Sequence, residues 1–235
     1  HLSWPWMLVI LPINIFANLY GFTLDPLKTE PAGQVVAITM LITLVTAFSF
    51  ASIAVNWHRY ILLDEVPQGA ARLRADNTVW RYFGNTLLIL FVLFIGFVPV
   101  TAVSRLGWSM GNAGAVLIVP LYAAAFVFGI AAFYRLSVKL PAVALQRQDF
   151  GLKDAWKATE GNTLQLFGLA ICFFLAAIAM GAVLGGLLWL LQLTGLAFAL
   201  LLGLATQIVF NWILTIMGVT LLTSLYGYFA EGRDF

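Results

Sequence analysis

The sequence predicts an all-α fold, a polytopic membrane bundle of six transmembrane helices in a single domain over residues 1–235. Hydrophobic residues make up 62% of the chain and charged residues 9%, with a mean hydropathy of +0.97. A soluble domain carries about 25% charged residues. Uncharged apolar runs of about 20 residues, the length that crosses a bilayer, recur along the sequence. A near-repeat of two charged loops indicates that part of the bundle is duplicated.

Six segments fit a membrane span. The first is short and contains Pro12, Asn14 and Asn18, and the proline-rich stretch 25–31 after it predicts a loop. The last two spans come from the long uncharged stretch 161–230, which we divide near residues 192–195. The predicted spans are 6–22, 35–57, 86–103, 113–134, 163–191 and 195–229.

Basic residues predict the orientation. One set of loops and the C-terminus hold ten Lys and Arg residues, and the opposite side holds only Lys28 and Arg105. Because cytoplasmic loops are enriched in Lys and Arg, both termini are predicted to be cytoplasmic. A net charge of +2 gives no reason to expect nucleic acid as a partner, and the single Cys172 cannot form a disulfide within the chain.

The two charged loops share one pattern. Each begins with an aromatic residue and an arginine, at Arg59 and Arg135, and each closes with Gly-Asn-Thr-Leu, at 84–87 and 161–164. The register is kept over the whole loop, which predicts two parallel helix-loop-helix repeats at about 35–103 and 113–191. We interpret the tetrapeptides as helix punctuation, in which Gly ends one helix and Asn or Thr caps the next.

Five residues near the predicted inner boundary are candidates for contact with lipid head groups. They are Trp57, His58, Arg59, Arg135 and Trp156. Ligation of a haem or pigment by His58 stays open, but Tyr134 holds the equivalent position in the second repeat and favours an interfacial aromatic role. We predict no cofactor and no metal. Residues 152–159 have the spacing of a helix lying in the membrane surface, with Asp149 as its N-cap.

Two further patterns lie within the spans. Gln207, Asn211 and Thr215 are spaced by four and share one helix face. They would either line a substrate path or form hydrogen bonds between helices, and the second reading is favoured. Gly181 and Gly185 form a GxxxG element that allows close helix packing.

The interfacial motifs resemble those of a broad group of bacterial six-helix membrane proteins, which includes the YciC-like proteins and the membrane domain of some glycerophosphodiester phosphodiesterases. The resemblance rests on residues 57–65, 81–84, 135–142 and 155–162, and covers about 35–170. It implies the six-helix topology and the repeat. It carries no activity over to particular residues, and no soluble phosphodiesterase domain accompanies this sequence.

The function expected from the sequence is non-enzymatic. No phosphate-binding, hydrolase or metalloprotease motif occurs, and no span has an Asp, Glu, Lys or Arg in its interior. We expect a structural or accessory subunit, or a lipid-interacting scaffold, whose partners are membrane lipids and other membrane-protein subunits or a second copy. The alternative is a transporter or flippase for a lipid-like or neutral substrate, with Gln207 and Asn211 on its path.

Overall fold

A computed structural model describes residues 4–23, 33–108, 111–193 and 199–233, and every regular element in these ranges is helical. The long helices are α1 (Trp4–Thr23), α2 (Gly33–Leu63), α3 (Asn77–Trp108), α4 (Asn112–Ser137), α7 (Thr163–Leu193) and α8 (Ala199–Glu231). Two short helices lie between α4 and α7, namely α5 (Lys139–Ala144) and α6 (Leu152–Ala158). A 3₁₀ turn, Gly69–Leu73, precedes α3.

Within the described residues, five helices are long and apolar enough to cross a membrane. These segments are Val36–Leu63, Asn77–Arg105, Ile118–Ala144, Thr163–Leu193 and Ala205–Glu231. The chain is therefore an all-α, multi-pass membrane protein. A sixth span stays a prediction. The predicted loop 25–31 lies outside the described residues, as does part of the predicted division at 192–195.

The two Gly-Asn-Thr-Leu tetrapeptides have different structures. At 161–164 the prediction of helix punctuation is confirmed, because Gly161 has a φ of +81° and α7 begins at Thr163. At 84–87 it is wrong, because the tetrapeptide lies inside α3. That helix already begins at Asn77, where Asp76 Oδ1 accepts a hydrogen bond from the Val79 N–H at 3.2 Å. A helix capped at Asp76 needs no second start at Gly84.

The chain divides into two compact units. The first consists of His1–Phe83 and Ala177–Leu221, and the second of Gly84–Ala176 and Leu222–Phe235. Helices α3, α7 and α8 each contribute to both units. The internal repeats at 35–103 and 113–191 stay a prediction.

Buried polar side chains of α2 hold the first unit together. Trp6 Nε1 of α1 donates a hydrogen bond to Ser52 Oγ at 2.8 Å, and Ser52 Oγ donates to the Arg74 carbonyl at 2.5 Å. One turn further along, Asn56 Nδ2 donates to the Arg72 carbonyl at 3.2 Å. Because residues i and i+4 lie on one helix face, Ser52 and Asn56 bind the end of the 3₁₀ turn together. Backbone carbonyls that would otherwise lack partners are thus satisfied near the apolar core.

The loop at 135–160 is largely folded and packs into the second unit. Val138, Leu140 and Ala142 are buried, so α5 belongs to the core. Arg147 Nη1 donates to the Tyr226 hydroxyl at 3.0 Å, and the Phe150 ring meets the Tyr226 ring edge-on at 5.7 Å. These contacts attach the segment between α5 and α6 to the end of α8.

The two glycines of the GxxxG element have different surroundings in the first unit. A Cβ added at Gly181 would lie 3.4 Å from the Phe210 ring of α8, in ordinary van der Waals contact. A Cβ added at Gly185 would meet nothing within 4 Å. Of these two glycines, Gly181 is therefore the one at which α7 lies close to another helix.

We expect Gly181→Leu to lower the free energy of unfolding by about 1–3 kcal/mol, because the larger side chain would be forced against Phe210. Gly185→Leu is the matched control in the same helix, and its effect should be small. Thermal unfolding in detergent, followed by circular dichroism, measures both. Equal destabilisation by the two substitutions would contradict the packing role of Gly181.

Candidate functional site

The first group of candidate residues lies at the end of α2, where Trp57 is half-buried and His58 is fully buried. His58 Nε2 lies 3.2 Å from the Tyr82 hydroxyl of α3, and the two ring centroids are 5.7 Å apart. The His58 side chain therefore contributes to the contact between α2 and α3. Its exposed fraction is 0%, which leaves no surface of the ring for a lipid head group.

Arg59 is held by a carboxylate from its own loop. Arg59 Nε donates to Glu65 Oε2 at 2.7 Å, and Nη2 contacts the same oxygen. Arg74 Nη2 donates to Glu65 Oε1 at 3.1 Å, and Arg74 Nε lies 3.2 Å from Asp76 Oδ2. The hydrogen bond from Arg59 lowers the pKa of Glu65, and the Arg74 guanidinium adds to this effect. The four side chains form a continuous ion-pair network that closes the first loop.

Arg135, at the end of α4, has a different environment. Its side chain is 7% exposed, and its guanidinium lies over the Trp156 ring of α6, 4.8 Å from the ring centroid. Nη2 donates a hydrogen bond to Thr163 Oγ1, at the start of α7. Arg135 Nε is buried without a hydrogen-bond partner among the described residues. The structure thus brings together Arg135 and Trp156, two of the candidate residues, and adds Thr163.

Two residues important to these sites were missed as partners in the sequence, Glu65 and Thr163. Glu65 follows Arg59 by six positions, just beyond the end of α2, and a carboxylate so close to a helix-terminal arginine is a usable signal. Thr163 is separated from Arg135 by 28 positions. Spacing in the sequence could not identify Thr163 as a partner of Arg135, because the contact depends on how α5 and α6 bring the start of α7 back to the end of α4.

Helix α6 presents the predicted amphipathic face. Ala155 and Thr159 are buried, while Lys153 and Lys157 are exposed. The predicted N-cap at Asp149 is wrong, because Gly151 occupies that position and its N–H donates to Asp154 Oδ2 at 2.8 Å. Since the helix begins at Leu152, the carboxylate three residues after the cap is the one that reaches the free N–H group.

The predicted polar face of α8 is exposed at Gln207 and Asn211 and half-buried at Thr215. Thr215 Oγ1 donates to the Asn211 carbonyl of its own helix at 2.8 Å. Gln207 and Asn211 are exposed, and neither carboxamide has a partner within the described residues. The three residues do share one face, but only Thr215 has its polar group satisfied by the helix itself.

An apolar groove of about 390 Å³ lies between α3 and α4 in the second unit. It is lined by Val92, Gly96 and Val100 of α3, by Phe128 and Leu136 of α4, and by Trp156 of α6. The same ring carries the guanidinium of Arg135. The groove and the buried arginine therefore share one wall.

No protein-family model matches the chain, and no match was found among curated proteins or solved structures. The fold defines the class, a multi-pass α-helical membrane protein.

Glu65→Gln removes the negative charge shared by Arg59 and Arg74 and one of the two acceptor oxygens, and we expect it to lower the free energy of unfolding by roughly 1 kcal/mol. The expected loss of stability is small because Glu65 is 36% exposed and solvent-screened ion pairs contribute about 0.2–1 kcal/mol each. Glu160→Gln is the control, since that exposed side chain has no ion pair within the described residues.

The difference between wild type and Glu65→Gln should depend on pH. Because the folded-state pKa of Glu65 is lowered, its stabilisation is present above the unfolded value of about 4.3. It is lost as pH falls through the folded value. Melting temperatures in detergent at pH 7 and at about pH 3 test this. A difference as large at the lower pH as at pH 7 would contradict the assignment.

Proposed function

We propose that the chain is a non-enzymatic, lipid-interacting scaffold or accessory subunit of a larger membrane assembly. On this proposal it lies in a bacterial inner membrane with both termini in the cytoplasm, where most of its basic residues would face anionic lipid. Its partners would be membrane lipids and other membrane-protein subunits or a second copy.

The observation that carries this proposal is the uncovered surface of α3. Only 6% of the apolar segment of this helix is buried within the chain. The consecutive residues Leu90, Phe91 and Val92 are all exposed, and so are Phe94 and Ile95. Successive residues of a helix point about 100° apart, so the exposed surface extends around most of the helix. A helix of this kind needs other molecules, acyl chains or further helices, to cover it.

The polar groups described within the spans also support a structural role. Thr43 and Ser49 donate to carbonyls of their own helix, at 2.8 and 2.7 Å. Ser104 Oγ lies 3.0 Å from the Tyr122 hydroxyl and so bridges α3 and α4. Hydroxyl groups engaged in this way stabilise helices and their contacts.

A flippase or transporter for a lipid-like substrate is the second candidate. The exposed carboxamides of Gln207 and Asn211 favour it, since polar groups facing hydrocarbon without a partner are costly. Such a pair could lower the barrier for a head group crossing the bilayer.

Extraction of the native protein into polymer-bounded nanodiscs, followed by native mass spectrometry, tests the scaffold proposal. We expect the chain to retain phospholipid or a second protein chain, because its helices are poorly covered by one another. Isolation as a lone monomer with neither would contradict the proposal.

Proteoliposomes containing a fluorescent phospholipid distinguish the second candidate. We expect wild type and the double variant Gln207→Leu, Asn211→Leu to give the same slow rate of transbilayer exchange, measured by dithionite quenching. Fast exchange by wild type that is lost in the double variant would favour the flippase.

A further inference from the structure

Arg135 is a buried cation whose described partners are all neutral. The Trp156 ring and the Thr163 hydroxyl contact its guanidinium, and Nε has no hydrogen-bond partner. Within the described part of the chain, no carboxylate lies within ion-pair distance of it. The nearest acidic residue in sequence to Trp156 on α6, Asp154, accepts a hydrogen bond from the Gly151 N–H instead.

A buried guanidinium without a negative partner is unfavourable. Removing a charge from water costs several kcal/mol unless an opposite charge and hydrogen bonds compensate. The end of α4 supplies at most about half an elementary charge. The corresponding arginine of the first loop, Arg59, is compensated by an opposite charge, because it is paired with Glu65. The second loop provides no such carboxylate, so an anion from outside the chain would complete the site.

The groove beside Arg135 indicates what kind of anion this is. Its walls are aliphatic and aromatic, and it extends along α4 from Leu136 at the arginine end to Ala125. At 1.5 Å per residue this is about 16 Å, close to half of the roughly 30 Å hydrocarbon core of a bilayer. Trp156 lines the groove and also stacks under the guanidinium. A free phosphate ion would leave this apolar surface uncovered.

We propose that Arg135 and the groove between α3 and α4 form a binding site for one phospholipid of the leaflet on the Arg135 side. The lipid phosphate pairs with the Arg135 guanidinium, and one acyl chain occupies the groove. Arginine suits this role because its planar donors match phosphate oxygens in pairs. The inference rests on the proposed lipid-interacting function and names the site and the lipid class.

Two substitutions test the two halves of the site. Arg135→Gln removes the charge that pairs with phosphate. Gly96→Phe fills the groove and leaves Arg135 and its contacts intact, since a Cβ at Gly96 meets nothing within 4 Å. Gly168→Phe on α7 is the matched control, because Gly168 is equally open but does not line the groove.

The measurement is native mass spectrometry of the detergent-solubilised, delipidated protein titrated with dioleoyl phosphatidylglycerol, and separately with dioleoylglycerol or inorganic phosphate. We expect wild type to bind one phosphatidylglycerol at least about tenfold more tightly than it binds dioleoylglycerol or inorganic phosphate. Arg135→Gln should weaken this binding about tenfold, the effect of losing one charge-assisted contact. Gly96→Phe should weaken it as well, and Gly168→Phe should not.

Retention of one tightly bound phosphatidylglycerol by Gly96→Phe, at the wild-type affinity, would overturn the proposal even if Arg135→Gln failed to fold. So would equal binding of inorganic phosphate, or a co-purifying subunit whose carboxylate cross-links next to Arg135. In those cases the chain still binds lipid or a partner, and the scaffold proposal stands. A wild-type protein that retains neither lipid nor partner would refute both.

Discussion

The cost of burying a charge is the constraint on which the loops of this protein depend. Arg59 lies four residues before the end of α2, and Arg135 lies in the last turn of α4, where the helix dipole favours a cation but does not balance its full charge. Around Arg59 the chain supplies Glu65, and the network continues through Arg74 to Asp76. Around Arg135 the chain supplies an indole and a hydroxyl. Similar sequence motifs thus produce one arginine paired with a carboxylate of the chain and one arginine whose described partners are neutral.

The polar residues of α2 show how the same constraint is met for neutral groups. Ser52 and Asn56 are almost fully buried, yet each donates to a carbonyl of the returning loop. His58, two residues further on, has its Nε2 3.2 Å from the Tyr82 hydroxyl of α3. In a chain with so few charged residues, hydrogen bonds of this kind fix which helix faces meet, because apolar faces alone are interchangeable.

Local signals in the sequence were enough to predict that each long helix exists, although α3 begins at Asn77 and not near residue 86. Uncharged apolar runs have few alternatives to a helix in a bilayer, and the start of α7 after Gly161 needs only a residue that tolerates a positive φ. The prediction of helix punctuation for the same tetrapeptide at 84–87 is wrong, because Asp76 caps α3 ahead of it. A motif specifies a turn only where no competing signal precedes it.

By itself, the sequence determined the class of the protein and the position of its charges, since both follow from composition and spacing along the chain. The tertiary structure alone decided which of the interfacial residues are available to a ligand. It buried His58 against Tyr82, paired Arg59 with Glu65, and placed Arg135 beside Trp156 and the apolar groove. The physical reason is that the accessibility of a side chain to a ligand depends on contacts with distant parts of the chain, such as the contact of Thr163 with Arg135. The hydropathy of the sequence does not predict such contacts.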